Sequence, residues 1–424
     1  MGKSLSAIYS APWLVPVASP VVRDGAVAVR DGRIEAVGPV AGLRAAFPDH
    51  HEIACRGVLM PALINAHIHL ELSHLARLNK PAPGEAMCDW IEGLIQARSD
   101  CSLAVQQKEQ CRRRTLKQLH NSGVVLVADI GNEAQQPSSD CLDSPHILHL
   151  LEFLAPTGAA VQAVKNLLAD LPDACAATAH APYSTLPALL SLLKERARRL
   201  GSIFSLHVAE SADEIEFLRD NTGSFRDFLV RRGAWDGSFS PAGPELAGTV
   251  AYLQQLGLLD SRTLCVHCVH VAEEEIRLLA EMKAHVCLCP GSNRFLGVGR
   301  APLQSILDHG LLPAIGTDSA ASNECLDIWR EMRILREDHP DVAPESILAM
   351  ATLGGAAALH CQDDFGSLAP HRRAEFLHVD PEGLRTVGSA GELCALLTGG
   401  RPRRIGWIGE REASVQINDM RTGF

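Results

Sequence analysis

The sequence lacks an excess of basic residues, a long apolar run and a leader of the secretory type. Its 39 Lys and Arg are outnumbered by 50 Asp and Glu, which gives a formal net charge of -11 at pH 7. Such a balance argues against nucleic acid or an anionic membrane as a partner, because both need a basic surface. The apolar stretches fall short of the roughly 20 residues of a membrane span, and residues 1–20 lack the apolar core of a signal peptide. We therefore expect a cytoplasmic protein with a small-molecule substrate.

Motifs of several other protein classes are also missing. Without a GxSxG elbow, a serine nucleophile is not expected, and the glycines within residues 295–299 lack the GxGxxG spacing of a nucleotide fingerprint. Cys265 and Cys268 have no second CxxC at zinc-finger spacing and lie in a strand-like run, which argues against a zinc knuckle. The 13 Cys are scattered through apolar runs, and we expect reduced, mostly buried thiols.

A regular alternation of apolar strands and amphipathic helices fills the middle of the chain. The runs predicted as strands are residues 58–70, 124–131, 146–155, 174–183, 202–210, 263–271, 285–291 and 311–319. Helical spacing follows each of them, as in residues 187–200 and 272–283. Consecutive βα units of this kind predict an α/β fold, a (β/α)8 TIM-type barrel with its catalytic residues where strands end and loops begin.

Short strands and turns occupy both ends of the chain. They are predicted within residues 6–11, 26–38, 51–60, 374–380, 392–400 and 403–409, with a hairpin signal at Asp31-Gly32. We interpret them as one small β-sandwich domain made from both termini. The expected boundaries are 1–59 for its N-terminal part, 60–370 for the barrel and 371–424 for its C-terminal part.

Polar residues stand at the ends of several predicted strands. His67 and His69 are two residues apart, so an extended strand points both to one face. Strand five ends in His207, strand six carries His267, and strand eight ends in Asp318. Three imidazoles and a carboxylate suit one divalent ion such as Zn2+, with room left for water. Recurrence at four strand ends argues against the alternative that each residue merely caps its strand.

Two further residues fit roles beside such an ion. Glu210 follows His207 by three residues, near the ligand but not on it, as a general acid/base should be. The alternative is a solvated first-turn glutamate favoured by the helix dipole. His180 ends strand four and could donate a hydrogen bond to substrate, or could be a hydrogen-bonded structural histidine.

These residues lie in motifs that together resemble the amidohydrolase superfamily, in the branch of S-adenosylhomocysteine, guanine and cytosine deaminases and triazine hydrolases. The motifs are PALINAHIHLELS, AHAPYS, LHVAES, VHCVHV, CPGSNRFLG and GTDSAASN. The resemblance implies one metal ion held by four side chains, those of His67, His69, His207 and Asp318. It implies that Glu210 shuttles protons, that His267 orients the hydrolytic water, and that His180 contacts the substrate ring.

Two details bear on that metal site. The motif selects His267 over His270, and strand alternation points His270 away from the face of His267. Sister enzymes with two metals use a carboxylated Lys at the end of strand four. Residues 174–183 contain no Lys, so one ion per chain is favoured.

Within this branch, the sequence most resembles the aminodeoxyfutalosine deaminases of menaquinone biosynthesis. The resemblance rests on residues 71–73, 210–218, 223–235 and 292–294. Glu71 and Arg294 are therefore candidate substrate contacts, and Arg294 could bind the benzoate of that substrate in two-point fashion. Alternatively, Arg294 pairs with a neighbouring acidic residue and braces its loop.

Two departures from the branch are Ser319, which stands where Gly is usual, and the unusual segment after Asp380. We expect both to affect substrate choice or domain packing rather than the metal.

Three functions are compatible with these residues. The favoured one is hydrolytic deamination of an adenine-type nucleoside, with Glu210, His267 and Asp318 catalytic and ammonia released. Its alternatives are deamination of S-adenosylhomocysteine, methylthioadenosine, adenosine, guanine or cytosine, and triazine-type hydrolysis at the same site. A non-catalytic scaffold is disfavoured by the complete ligand set. Fe2+ and Mn2+ also tolerate these ligands, and the resemblance suggests a homodimer.

Overall fold

A computed structural model describes residues 6–76, 78–82, 85–133, 143–401 and 403–409. Its strands, in chain order, are β1 Ser6–Leu14, β2 Val22–Arg30, β3 Arg33–Pro39, β4 His51–Ala54, β5 Val58–Pro61, β6 Leu63–His69, β7 Val124–Gly131, β8 His146–Phe153, β9 Ala177–Ala179, β10 Phe204–Val208, β11 Thr263–His267, β12 His285–Leu288, β13 Ala314–Ile315, β14 Asp318–Ser319, β15 Phe376–Pro381 and β16 Arg403–Ile408.

The α-helices lie mostly between the strands of the middle region. They are α1 Val40–Ala46, α2 Met87–Asp100, α3 Val105–Asn121, α4 Gly158–Asp170, α5 Pro187–Leu200, α6 Ala212–Asp220, α7 Gly223–Arg231, α8 Thr249–Gln255, α9 Glu273–Glu281, α10 Pro290–Leu296, α11 Leu303–Asp308, α12 Ile328–Asp338, α13 Pro344–Ala349, α14 Gly355–Ala358 and α15 Ala390–Thr398. Two 3₁₀ segments, Leu70–Leu75 and Leu384–Thr386, and a π-helical turn, Met350–Gly354, complete the helical elements.

Strands from both ends of the chain pair into one seven-stranded sheet, which we call the terminal sheet. Its order is β16-β15-β5-β1-β2-β3, with β4 paired to β1. The predicted hairpin is confirmed, because β2 and β3 are antiparallel and Asp31 and Gly32 have φ of 49° and 74°, as a tight hairpin turn requires. That these strands fold over into a β-sandwich stays a prediction.

The middle region forms two parallel sheets, as its alternating pattern predicts. One has the order β14-β6-β7-β8-β9 and the other β10-β11-β12-β13. The strands β6, β7, β10 and β11 are buried along their whole length. Continuous burial of this kind is typical of parallel strands that helices cover.

Backbone hydrogen bonds join the two parallel sheets at both junctions. At one junction, the His207 N–H of β10 donates to the carbonyl of His180, just after β9, at 2.8 Å. At the other, predicted strand eight is shared between the sheets, because β13 pairs with β12 and β14 pairs with β6. The carboxyl ends of β6, β10 and β14 lie close together, as the proximity of His69, His207 and Asp318 shows.

Strand eight reaches β6 through a residue that has no side chain. A Cβ on Gly316 would lie 2.8 Å from the Cβ of His67 and 2.9 Å from its carbonyl oxygen. The following Thr317 N–H donates to that carbonyl at 3.1 Å. This close approach, which a larger residue would prevent, places Asp318 beside the histidines of β6.

Two sequence predictions about elements need correction. Residues 392–400, predicted as a strand, fall mainly in helix α15. The Ser389 hydroxyl caps that helix by accepting from the Glu392 N–H, and Leu393 and Leu397, one turn apart, are buried. Residues 58–70, predicted as one strand, divide into β5 of the terminal sheet and β6, so the expected 59/60 boundary falls inside β5.

None of the helices among the described residues has the length and apolar character needed to cross a membrane. All of the cysteines in this part of the chain have free thiols.

The contact between β5 and β15 generates a stability prediction. Gly57 has φ +89°, and a Cβ there would collide with the backbone of Val379 and Asp380. Gly201 has φ +63°, but a Cβ there would meet no atom within 4 Å. Gly201→Ala should lower the free energy of unfolding by about 1–2 kcal/mol, the cost of left-handed backbone strain alone. Gly57→Ala should lower it by about 1–3 kcal/mol more, because the backbone of Val379 and Asp380 must also move. Urea unfolding of both variants measures this, and equal losses would contradict the close contact.

Candidate functional site

Four side chains at strand ends converge into one buried cluster. His67 and His69 come from β6, His207 from β10 and Asp318 from β14, and one possible ligand atom of each lies within 4.8 Å of the others. The ring centroid of His67 lies 4.9 Å from those of both His69 and His207. The structure thus brings together the residues that the sequence predicted as a metal site.

Asp318 is oriented by two hydroxyl groups. Its Oδ2 accepts hydrogen bonds from Ser292 Oγ at 2.6 Å and from Ser322 Oγ at 2.7 Å. Its Oδ1 instead lies 3.7 Å from Nε2 of His67 and 3.6 Å from Nε2 of His69. One carboxylate oxygen is therefore held by the protein and the other faces the imidazoles.

Hydrogen bonds on Nδ1 orient two of the histidines. His207 Nδ1 donates to the carbonyl of His180 at 2.9 Å, and His267 Nδ1 donates to Oδ1 of Asn293 at 2.9 Å. In both rings the Nε2 lone pair is left for the cluster. Both ring nitrogens of His67 are buried without a hydrogen-bond partner among the described residues.

These donors fit a divalent cation. Burial lowers the pKa of His67 to about 4, so its imidazole is neutral and can act as a ligand at pH 7. A buried nitrogen without a partner costs free energy that a bound ion would recover. Three nitrogens and one carboxylate oxygen are the set that zinc and related divalent ions accept.

Glu210 lies beside this cluster. Its side chain is buried, and Oε1 lies 3.5 Å from Nε2 of His267. Glu210, His267 and Asp318 also place one ligand-type atom each within 4.8 Å. Burial raises the pKa of Glu210 to about 8, so this carboxyl can hold a proton near neutral pH and release it to a neighbouring group.

His180 borders the cluster on the side of β9. Its ring centroid lies 4.7 Å from that of His207, and its Nδ1 is 2.8 Å from the Ser184 hydroxyl. The second ring nitrogen is therefore the one that a substrate could use. Both the substrate contact and the structural role considered for His180 are compatible with this arrangement.

Sequence reasoning missed one buried carboxyl next to His180. Glu152 of β8 forms a cluster with His180 and His207, with ligand-type atoms within 4.8 Å. Its Oε2 accepts from Asn132 Nδ2 at 3.1 Å, while its Oε1 has no partner in the described chain. Burial raises the pKa of Glu152 to about 8. A lone Glu near the carboxyl end of an apolar strand was the available signal.

The role expected for Ser319 also changes. Its Oγ lies 2.8 Å from Oγ of Ser322, the residue that donates to Asp318. Ser319 Oγ also accepts from the backbone N–H groups of Ala321 and Ser322. Ser319 therefore shapes the turn that supports Asp318, whereas the sequence assigned it to substrate choice or domain packing.

Glu71 lies outside the metal-type cluster. It follows His69 in the 3₁₀ segment, where its Oε2 accepts from the Asn132 N–H at 2.9 Å and its Oε1 pairs with Arg98 at 3.2 Å. A direct contact between Glu71 and substrate stays a prediction.

Arg294 does not point its charge at the cluster. Its guanidinium pairs with Oε2 of Glu337 at 2.8 Å and with Oδ1 of Asp338 at 2.9 Å, both near the end of α12. This is the bracing contact that the sequence left as the alternative. A contact between Arg294 and substrate stays a prediction, and it would have to compete with these two carboxylates.

Comparison with known proteins places these residues in a wider context. Residues 58–402 match the model of the amidohydrolase family, and residues 25–49 match that of an imidazolonepropionase-like composite domain of bacteria. The 5-methylthioadenosine/S-adenosylhomocysteine deaminase of Moorella thermoacetica is 31% identical over 87% of this chain and 84% of its own. The aminodeoxyfutalosine deaminase of a Nitratiruptor species is 28% identical over 89% and 92%. Helicobacter pylori aminofutalosine deaminase, solved with methylthio-coformycin, has a TM-score of 0.80 at 23% identity, covering 97% of this chain and 100% of its own.

The cluster generates a prediction about metal content. Purified protein should contain about one divalent ion per chain, as expected for four ligands around one centre, and His69→Ala should lose it while keeping its circular dichroism spectrum. His270→Ala is the matched control, because His270 binds the Val298 carbonyl and lies outside the cluster. Elemental analysis distinguishes these outcomes, and two tightly held ions per chain would contradict the single site.

Proposed function

Because the chain belongs to the amidohydrolase family, we propose that it is a metal-dependent hydrolytic deaminase of adenine-type nucleosides. The observation that carries this proposal is the position of Glu210, a buried carboxyl 3.5 Å from His267 and adjacent to the four-residue cluster. Deaminases among its relatives, such as the Moorella thermoacetica protein, support the reaction class. The reaction replaces an amino group on the ring with oxygen and releases ammonia.

We propose that His67, His69, His207 and Asp318 hold one divalent ion, with Zn2+ the ion that best suits three imidazoles and a carboxylate. When bound there, such an ion would lower the pKa of a coordinated water toward neutral. His267, fixed by Asn293, offers Nε2 as a hydrogen-bond partner for that water. Asp318 has only Oδ1 available for the ion and its water, because its Oδ2 already accepts hydrogen bonds from two hydroxyl groups.

Glu210 is proposed to move the protons. In its protonated form it donates to a ring nitrogen of the base, which makes the carbon that bears the amino group easier to attack. The ionised carboxylate takes one proton of the attacking water and gives it to the amino group, which leaves as ammonia. The second proton of the water returns to Glu210 as the carbonyl forms, so the carboxyl ends protonated, as it began. His180, whose ring lies 4.7 Å from that of His207, is proposed to hold the substrate ring through its Nε2, because its Nδ1 is bonded to Ser184.

The architecture proposed to carry this site is a closed (β/α)8 barrel, residues 60–370, flanked by a β-sandwich from residues 1–59 and 371–424. The hydrogen bonds that join the two parallel sheets at His180–His207 and His67–Thr317 support closure. Catalytic residues at the carboxyl ends of the strands fit such a barrel. A homodimer and a cytoplasmic location stay predictions.

The role of Glu210 has a direct test. Glu210→Gln keeps the shape of the side chain but removes its titrating group, so kcat should fall by at least about 100-fold while the metal content is unchanged. Glu214→Gln is the matched control. Glu214 is equally buried and accepts the Glu210 N–H at 3.1 Å, which an amide oxygen can also do. Near-normal turnover of Glu210→Gln in an ammonia-release assay would rule out this mechanism.

For the substrate itself, we propose aminodeoxyfutalosine, which would place the enzyme in menaquinone biosynthesis. Similarity to the Nitratiruptor aminodeoxyfutalosine deaminase over 89% of this chain supports this choice, as do the motif residues at 71–73 and 292–294. The alternative is methylthioadenosine or S-adenosylhomocysteine, which the 31% identity to the Moorella thermoacetica enzyme favours.

The substrate proposal predicts a higher kcat/KM for aminodeoxyfutalosine than for adenosine, methylthioadenosine or S-adenosylhomocysteine. Since Glu337 and Asp338 already bind Arg294, Arg294→Ala should leave the ratio between the benzoate substrate and adenosine nearly unchanged. A loss confined to the benzoate substrate would instead show that Arg294 contacts it, as the sequence predicted. A wild-type preference for methylthioadenosine or S-adenosylhomocysteine would select the alternative substrate.

A further inference from the structure

The first turn of helix α10 contacts two residues of the proposed site. Ser292 donates its hydroxyl to Oδ2 of Asp318 at 2.6 Å, and Asn293 accepts from Nδ1 of His267 at 2.9 Å. These two partners come from β14 and β11 and are far apart in sequence. This single turn therefore contacts both Asp318 and His267 and links their positions.

A buried carboxylate on another helix holds that turn. Glu331 of α12 is 0% exposed, and its Oε2 accepts the Gly291 N–H at 2.6 Å. Its Oε1 accepts from Nδ2 of Asn323 at 3.0 Å. The same Asn323 Nδ2 donates to the carbonyl of Thr317, the residue before Asp318, at 2.8 Å. One carboxylate thus connects the start of α10 with the backbone that presents Asp318.

Gly291 is packed tightly against Glu331 and Asn323. A Cβ on Gly291 would collide with Oε1 of Glu331 and would lie 2.6 Å from Nδ2 of Asn323. Only a residue without a side chain allows the carboxylate to approach the N–H so closely. The nearest cation, Arg330, lies 3.8 Å from Oε1 of Glu331, so the short hydrogen bonds are the main stabilising contacts of this buried group.

We propose that Glu331 is a positioning residue: through Gly291 and Asn323 it fixes Asp318 and His267 in the geometry that the metal ion and its water require. Glu331 itself contacts neither Asp318 nor His267. The inference rests on the metal site proposed above. Groups that orient metal ligands from behind change metal affinity by about 10–100-fold when removed.

The test is Glu331→Gln, an isosteric change. An amide has one acceptor oxygen and one NH2 group, so it cannot replace both carboxylate oxygens. Either the Gly291 N–H or the Asn323 Nδ2 would then face the NH2 group, which is itself a donor. We expect divalent metal to bind about 10–100-fold more weakly. The absorption spectrum of the Co2+-substituted protein should shift, and kcat should fall more than KM rises.

Glu275→Gln is the matched control. Glu275 is also buried, accepts the backbone N–H groups of Val250 and Ala272, and fills the space where a Cβ on Gly248 would stand. It belongs to α9 and contacts none of the proposed ligands. Glu275→Gln should lower the unfolding temperature as Glu331→Gln does, yet keep the metal affinity and the Co2+ spectrum of the wild type.

Gly291→Ala serves as a second variant if Glu331→Gln folds poorly, and it should show the same weakened metal binding. Wild-type metal affinity and Co2+ spectrum in a folded Glu331→Gln or Gly291→Ala protein would overturn the positioning role. So would an equal loss of metal affinity in Glu275→Gln, since that would reflect general destabilisation. A wild-type protein that bound no divalent ion would instead overturn the metal site, and this inference with it.

Discussion

The contact between strand eight and β6 is the constraint on which both the fold and the site depend. Gly316 lies against His67 with no room for a side chain. The Thr317 N–H donates to the His67 carbonyl and to Oδ1 of Asn65, and the Thr317 hydroxyl accepts from Nδ2 of Asn65. The contacts of Gly316 and Thr317 that join the two parallel sheets also place Asp318 beside the imidazoles. A shift of this strand would open the sheet junction and separate the carboxylate from the histidines in one movement.

Around that junction, one apolar environment gives two carboxyl groups opposite properties. Burial raises the pKa of Glu210 to about 8, because the protein gives its charged form little support. Burial also disfavours the charge of Asp318, but the neighbouring histidines outweigh it and hold the pKa of Asp318 well below its usual range. Two acids a few ångströms apart are thereby suited to different work, one as an ionised ligand and the other as a carrier of protons.

The sequence predicted the parts of the site that local geometry dictates. His67 and His69 share a face because strand residues alternate, and the strand ends of β10, β11 and β14 meet because parallel strands run in the same direction. Contacts between distant elements could not be read in this way. The pairing of Arg294 with Glu337 and Asp338 depends on how α12 packs against α10.

Other differences from the sequence predictions have similar causes. The support of Asp318 by Ser319 and Ser322 depends on a turn whose shape only the folded chain defines. Residues 392–400 carry an apolar run too short to distinguish a strand from a helix by periodicity, and the Ser389 cap decides in favour of the helix.

The terminal sheet has a consequence for the order in which the molecule can form. Strand β5 lies between β1, which precedes it in the chain, and β15, which is separated from it by residues 62–375. On the ribosome, β5 therefore emerges with one partner and an open edge, and it keeps that edge until residues 376–381 have been made. An open strand edge can pair with another nascent chain. The chain therefore carries an unpaired strand edge throughout the synthesis of residues 62–375, and the pairing of β15 with β5 removes it.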